Sequence, residues 1–173
     1  MATVFSHAVA GIAISTLVEA RGVRTRLAVA AALCAAAPDL DVVTFWLGVP
    51  WGHMFSHRGI THSLAFAAVL AAIVTLTAFR GRGRLGIWLA LVVATASHGL
   101  LDAMTNGGSG VAFFAPFDDT RYFLPWRPIP VSPIGLSRFL TQRGLEIMKA
   151  EVWLIWLPAG IVALIGLWRR GGR

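Results

Sequence analysis

The chain has 173 residues, of which 57% are hydrophobic and only 13% are charged. A soluble domain carries about 25% charged residues, so an ordinary water-soluble globule is excluded and a single membrane-embedded domain over residues 1–173 is expected. The net charge of +7 comes from short basic clusters between apolar runs, which excludes the continuous basic face that nucleic-acid binding needs.

The first apolar run covers Ala2 to Leu17 and holds His7 near its start. It has no basic leader and reads as a retained helix that nearly crosses a hydrocarbon core of about 30 Å. Arg21, Arg24 and Arg26 follow as a basic loop. The second run, Leu27 to Val49, is alanine-rich in its first half, which allows close helix approach. Its Cys34 is the only cysteine, so no intrachain disulfide is possible, and the residue reads as packing. Pro38 interrupts this run and predicts a break just before Asp39 and Asp41. On a regular helix those two acids would point in nearly opposite directions. A break lets both face one cavity, or lets one ligate while the other orients a partner.

Pro50 to Ile60 reads as a short loop with Trp51 and Phe55 at an interface. It leads into His57-Arg58-Gly59-Ile60-Thr61-His62-Ser63, with Thr61 or Ser63 placed to cap a third run that ends at Phe79. Arg80, Arg82 and Arg84 form a second basic loop. The fourth run, Leu85 to Met104, carries His98 and Asp102 four residues apart, hence on one helix face. Thr105-Asn106-Gly107-Gly108 reads as its stop.

Residues 109–150 are the least apolar part of the chain. Within them, Phe113 to Pro133 mixes aromatics, prolines and charges and predicts an irregular interfacial cover. Asp118 and Asp119 read there as solvated loop acids, and Arg121 and Arg127 as interfacial arginines. Ser137 to Lys149 predicts a short surface helix, and Val152 to Trp168 a fifth span kinked at Pro158 and closed by Arg169, Arg170 and Arg173. The predicted fold is therefore all-α: a membrane bundle of about five helices.

The basic clusters follow runs one, three and five. The positive-inside rule then puts the N-terminus outside and the C-terminus in the cytoplasm. The same topology carries His7, Asp39, Asp41, His57, His62, His98 and Asp102 to the outer side at similar depth. Ionisable groups within spans cost about 2.5–3.5 kcal/mol each, so something must compensate them. A divalent cation does so directly. Mixed imidazole and carboxylate donors suit zinc, as one or two ions, with manganese or iron as alternatives. The chemistry expected is hydrolysis by metal-activated water. Arg58, whose planar fork matches phosphate oxygens, would bind substrate together with Thr105 and act catalytically by stabilising the leaving oxygen; the alternative is an interfacial arginine that meets lipid. The alternative is a metal-ion or proton transporter using the same cluster; a metal that only stabilises the fold is a third possibility. Ser132 has no visible base partner and is not proposed as a nucleophile. Nothing in the sequence speaks to oligomeric state.

Four pieces of sequence carry a resemblance: Ser6-His7, Ala37-Pro38-Asp39-Leu40-Asp41, His57 to Ser63, and Ser97-His98-Gly99-Leu100-Leu101-Asp102 with Thr105 following. In this order they resemble the YdjM-like inner-membrane proteins, described as LexA-regulated, membrane-bound metal-dependent hydrolases. Val42 stands where some members carry a histidine, so one potential ligand is absent here. The resemblance implies a bacterial inner-membrane location. That family is in turn distantly similar to zinc-dependent phospholipase C and P1-type nucleases. Carried over by motif order, this implies His7 and Asp102 on one zinc. It places Asp39 or Asp41, with His62, His98 and Asp102, on another. It also implies hydrolysis of a phosphoester on a lipid or lipid-linked substrate, with a catalytic aspartate of the pair, Asp39 or Asp41, assisting metal-bound water.

Overall fold

The computed structural model describes residues 1–20, 22–81 and 83–171, so Arg21, Arg82 and Arg173 of the basic clusters lie outside the described residues. The fold is an all-helical membrane bundle: α1 Val4–Ser15, α2 Arg24–Ala36, α3 Val43–Trp46, α4 Leu64–Ala78, α5 Arg84–Ala103, α6 Leu136–Phe139, α7 Gln142–Glu151 and α8 Leu157–Gly171. No strand occurs among the described residues; the cover carries only isolated bridges, Thr105 to Ile129 and Val111 to Tyr122.

Among the described residues, three continuous helical stretches are long and apolar enough to cross a membrane: Arg24–Trp46, Arg84–Ala103 and Gln142–Arg170, of 23, 20 and 29 residues. The first and third runs form shorter helices, α1 of 12 residues and α4 of 15. At 1.5 Å per residue these reach only about 18 and 23 Å. The first run is shortened because Thr3 caps α1 and Thr16 turns its hydroxyl back to the Ala13 carbonyl. The second run is interrupted where Pro38 predicts it, by a 3₁₀ turn over Ala37–Val42 that passes directly into α3.

The last run starts earlier than its hydropathy predicts. Instead of ending as a separate surface helix, α7 continues through a π-helical turn, Val152–Trp156, into α8. Pro158 has no N–H to offer the Leu154 carbonyl four residues back, and a widened turn is one way a helix absorbs that loss.

Helix α1 sits centrally, packed on α2, α5 and α8, while α4 packs on α5. Small residues permit this. A Cβ on Gly11 would lie 2.4 Å from the Ala31 carbonyl oxygen, so α1 and α2 touch backbone to backbone. Cys34 joins Leu27, Ala31, Phe79 and Leu91 in the apolar core. Leu33, Leu76 and Leu164 point outward, each about two-thirds exposed, as lipid-facing side chains do.

The up-and-down path gives the bundle two unlike ends. At one, Arg26 reaches the Ala78 carbonyl at 3.2 Å, Arg84 the Phe79 carbonyl at 3.0 Å, and Arg170 the Ser15 carbonyl at 2.8 Å. The opposite end gathers the start of α1, the 3₁₀ turn after α2, the start of α4 and the end of α5. The cover lies over these, with Ala112 N–H donating to Arg58 O at 3.0 Å.

Candidate metal centre

Each candidate ligand is delivered by a local feature of the sequence. The 3₁₀ turn at Pro38 presents Asp39 and Asp41, both buried. His62 closes a second 3₁₀ turn, Ile60–His62, and Ser63 caps α4 by accepting from Phe66 N–H at 3.0 Å. His98 and Asp102 lie one turn apart on α5 and are fully buried, as is His7 on α1.

Asp39, His62, His98 and Asp102 each aim one ligand atom at a common point, all four atoms within 4.8 Å of one another. His98 Nε2 lies 3.0 Å from His62 Nε2 and 3.3 Å from Asp39 Oδ1. His62 Nε2 lies 3.6 Å from Asp102 Oδ2 and 4.0 Å from Asp39 Oδ1. The far sides of both rings are occupied. His98 Nδ1 donates to the Ala35 carbonyl at 2.7 Å, and His62 Nδ1 faces Asp41 Oδ2 at 3.2 Å. His98 Nε2 therefore offers a lone pair, which a proton on His62 Nε2 or a cation can take up.

The unpartnered atoms say the same. Both Asp39 oxygens, both His7 ring nitrogens and Asp102 Oδ2 are buried without a hydrogen bond. Buried polar atoms left this way are expensive, and a divalent cation satisfies several at once. Burial resists a charge on His62, yet the neighbouring Asp102 and Asp41 carboxylates hold its pKa up, to about 9. Two imidazoles and two carboxylates form a donor set that could hold a divalent cation.

Asp39 and Asp41 differ in their surroundings. Asp41 is surrounded by donors: His57 Nδ1 at 2.6 Å, Thr61 Oγ1 at 2.5 Å, Arg58 N–H at 3.2 Å and His62 Nδ1 at 3.2 Å. Asp41, His57 and His62 form a second close group. With its oxygens so engaged, Asp41 orients the two histidines, the usual carboxylate–histidine support of a metal site. His7 stands just outside the four-atom group. Its ring stacks on His98, centroids 3.6 Å apart, and its Nε2 lies 3.5 Å from Asp102 Oδ1.

Arg58 and Thr105, expected at the substrate, are turned inward. Arg58 is 1% exposed, with Nε 3.1 Å from Asp102 Oδ2, while its other nitrogens donate to Gly107 O at 3.0 Å and Thr105 Oγ1 at 2.9 Å. Arg58 is the one described non-glycine residue with positive φ, at 66°. This left-handed backbone, disfavoured for a residue with a Cβ, lets its N–H reach Asp41 while its side chain reaches Asp102. Gly108 completes the cradle, since a Cβ there would lie 2.5 Å from the guanidinium. Arg58 thus links the two carboxylates. His53, the remaining histidine, is exposed, and its ring bonds only to the nearby Phe55 N–H.

Two residues play larger parts than the sequence indicates. Arg121 ties the cover to the histidine loop, donating to His53 O, Ser56 Oγ, His57 O and Ser109 Oγ at 2.9–3.1 Å. Burial and the nearby Arg58 lower its pKa. Glu151, at the start of the fifth apolar run, is fully buried. An acid at such a boundary normally faces water, and its only signal in the sequence is the apolar run that follows it.

With this geometry in hand, the chain matches the YdjM inner membrane protein family model over residues 1–171. It belongs to the YdjM inner membrane protein family. It is also 39% identical over 175 residues to the inner membrane protein YbcI of Escherichia coli (strain K12), covering 98% of this chain and 99% of that protein. No solved structure matches the chain. The more distant likeness to phospholipase C and P1-type nucleases is not shown by these comparisons. In YdjM-family terms, the motifs of the sequence are the segments that converge here: the start of α1, the 3₁₀ turn with its two aspartates, the histidine loop and the end of α5.

Proposed function

We propose that this YdjM-family protein is a membrane-bound metal-dependent hydrolase that cleaves a phosphoester on a lipid or lipid-linked substrate. The observation that carries this reading is the set of four buried ligand atoms within 4.8 Å, two of which, Asp39 Oδ1 and Asp102 Oδ2, accept no hydrogen bond. Asp39, His62, His98 and Asp102 would hold the ion, zinc favoured over manganese or iron by the donor set. When bound, such an ion supplies Lewis acidity and lowers the pKa of water. The chain's own residues do the rest. Asp41 keeps His62 in the tautomer that offers Nε2, and Arg58 holds Asp102. Asp39 Oδ1 faces His98, leaving the unpartnered Oδ2 to take the proton of a water attacking phosphorus.

Orientation in the membrane follows from charge. The candidate centre lies at the end opposite Arg26, Arg84 and Arg170, so the positive-inside rule would put it near the outer face with the end of α8 in the cytoplasm. A transporter would distribute ionisable groups through the membrane depth. Here the candidate ligands gather in one cluster toward one end of the bundle, which weighs against transport.

The test is elemental analysis of purified protein, followed by a screen of phospholipids and polyprenyl phosphates with zinc-loaded protein. Near-stoichiometric zinc, and turnover lost in Asp102→Ala, is the expected outcome. Turnover equal in wild type and Asp102→Ala, or none with any phosphoester, overturns the hydrolase reading.

A further inference from the structure

Outside the candidate centre, the most heavily engaged buried ionisable group is Glu151. It is the last residue of α7, immediately before the π-helical turn, and is fully buried. Among the described residues it forms no ion pair. Its donors come instead from one turn of another helix. Thr3 N–H donates to Oε1 at 2.8 Å, Ser6 Oγ donates to Oε2 at 2.5 Å, and the Thr3 hydroxyl also donates to Oε2. Trp156, on the π-helical turn, donates its indole N–H to Ser6 Oγ at 2.8 Å.

The physics of this contact is that of an anion at a helix N-terminus. The first turn of α1 has backbone N–H groups without intrahelical partners and carries partial positive charge. An unpaired buried carboxylate is costly in apolar surroundings, and three short donors at that terminus offset the cost. A residue needed only to fill space there would be apolar.

The turn so held touches the metal centre on two sides. Before Thr3, Ala2 N–H donates to Asp102 Oδ1 at 2.7 Å, and Met1 O accepts from Ser132 N–H at 3.0 Å. This engages one oxygen of Asp102 and leaves Oδ2 toward His62. After Ser6 comes His7, whose ring stacks on His98. We propose that Glu151 is a positioning residue of the metal centre: acting through the first turn of α1, it sets the carboxylate of Asp102 and the ring of His7. The inference rests on the metal-centre reading above, and it gives the last membrane span, which carries none of the four candidate ligands, a part in the site.

The experiment uses the full chain in detergent, with zinc affinity measured by chelator competition on the folded fraction and the visible spectrum of the Co²⁺-loaded protein recorded beside it. Glu151→Ala is expected to weaken zinc binding by about 10–100-fold, the usual loss for an outer-shell partner, and to shift the cobalt bands. Glu151→Gln should restore most of the affinity, because its carbonyl can accept from Thr3 N–H and its amide can donate to the two hydroxyls. A Glu151→Ala protein that melts lower but keeps wild-type zinc affinity and cobalt spectrum overturns the assignment and leaves only a structural tie. Should Glu151→Ala not fold, the double variant Thr3→Val/Ser6→Ala removes two of the three donors, and wild-type affinity and spectrum there also overturn it. Wild-type protein that binds neither zinc nor cobalt overturns the metal-centre reading and this assignment with it. Wild-type binding with Glu151→Ala unmoved overturns this assignment alone.

Discussion

Asp39 and Asp41 sit two residues apart in a 3₁₀ turn, yet one accepts no hydrogen bond at either oxygen and the other is ringed by four donors. Their variants should therefore differ. Asp39→Ala is expected to lose most of its zinc on purification, whereas Asp41→Asn should keep a site weakened by about 10–100-fold. Chelator competition on both proteins checks this, and equal affinities would show that the two acids share one role. Arg58 belongs to the same scale. Its removal breaks a buried ion pair with Asp102, a loss of about 3–5 kcal/mol when one partner of such a pair is deleted. Arg58→Ala should melt well below wild type in the metal-free state, with zinc recovering part of the difference. If Arg58 bound substrate instead, the metal-free melting temperature would hardly move.

Helices meet here through residues too small to keep them apart. Gly11 lets α1 lie against Ala31 of α2, and Gly11→Ala would drive a Cβ to 2.4 Å from a backbone oxygen that cannot swing away. A Cβ at Gly160 on α8 would meet nothing within 4 Å. Thermal unfolding in detergent should therefore show Gly11→Ala melting lower while Gly160→Ala melts at or above wild type, since alanine favours helix. Element boundaries were less readable from sequence than element existence. The break at Pro38 was legible because proline acts locally. The joining of α7 to α8 was not, because the acid that ends α7 is stabilised by donors from α1, far away along the chain.

At the scale of the molecule, the arginine-rich end and the cover end should face opposite sides of the membrane. On a Cys34→Ser background, which removes only a buried thiol, Phe117→Cys in the exposed cover should react with a membrane-impermeant maleimide added outside intact cells. Labelling that appears only after the cells are broken would invert the topology. The buried cluster also links metal to stability. An ion that binds only the folded state adds about 4 kcal/mol at a thousandfold excess over Kd, so chelator should lower the melting temperature of zinc-loaded protein. An unchanged melt would argue against a high-affinity site.

Hydropathy and the placement of arginines alone determined that the chain is a helical membrane bundle, and the motif order alone named Asp39, His62, His98 and Asp102 among the candidate ligands. Those properties are sums over neighbouring residues or spacings on one helix, and they survive without coordinates. Only the tertiary structure decided that Asp39 rather than Asp41 completes the four-atom group, that Arg58 faces inward to Asp102, and that Glu151 is buried on the first turn of α1. Each of these depends on which atom meets which across separate helices. A shift of one or two ångströms in helix packing changes such a meeting while leaving every local pattern in the sequence the same.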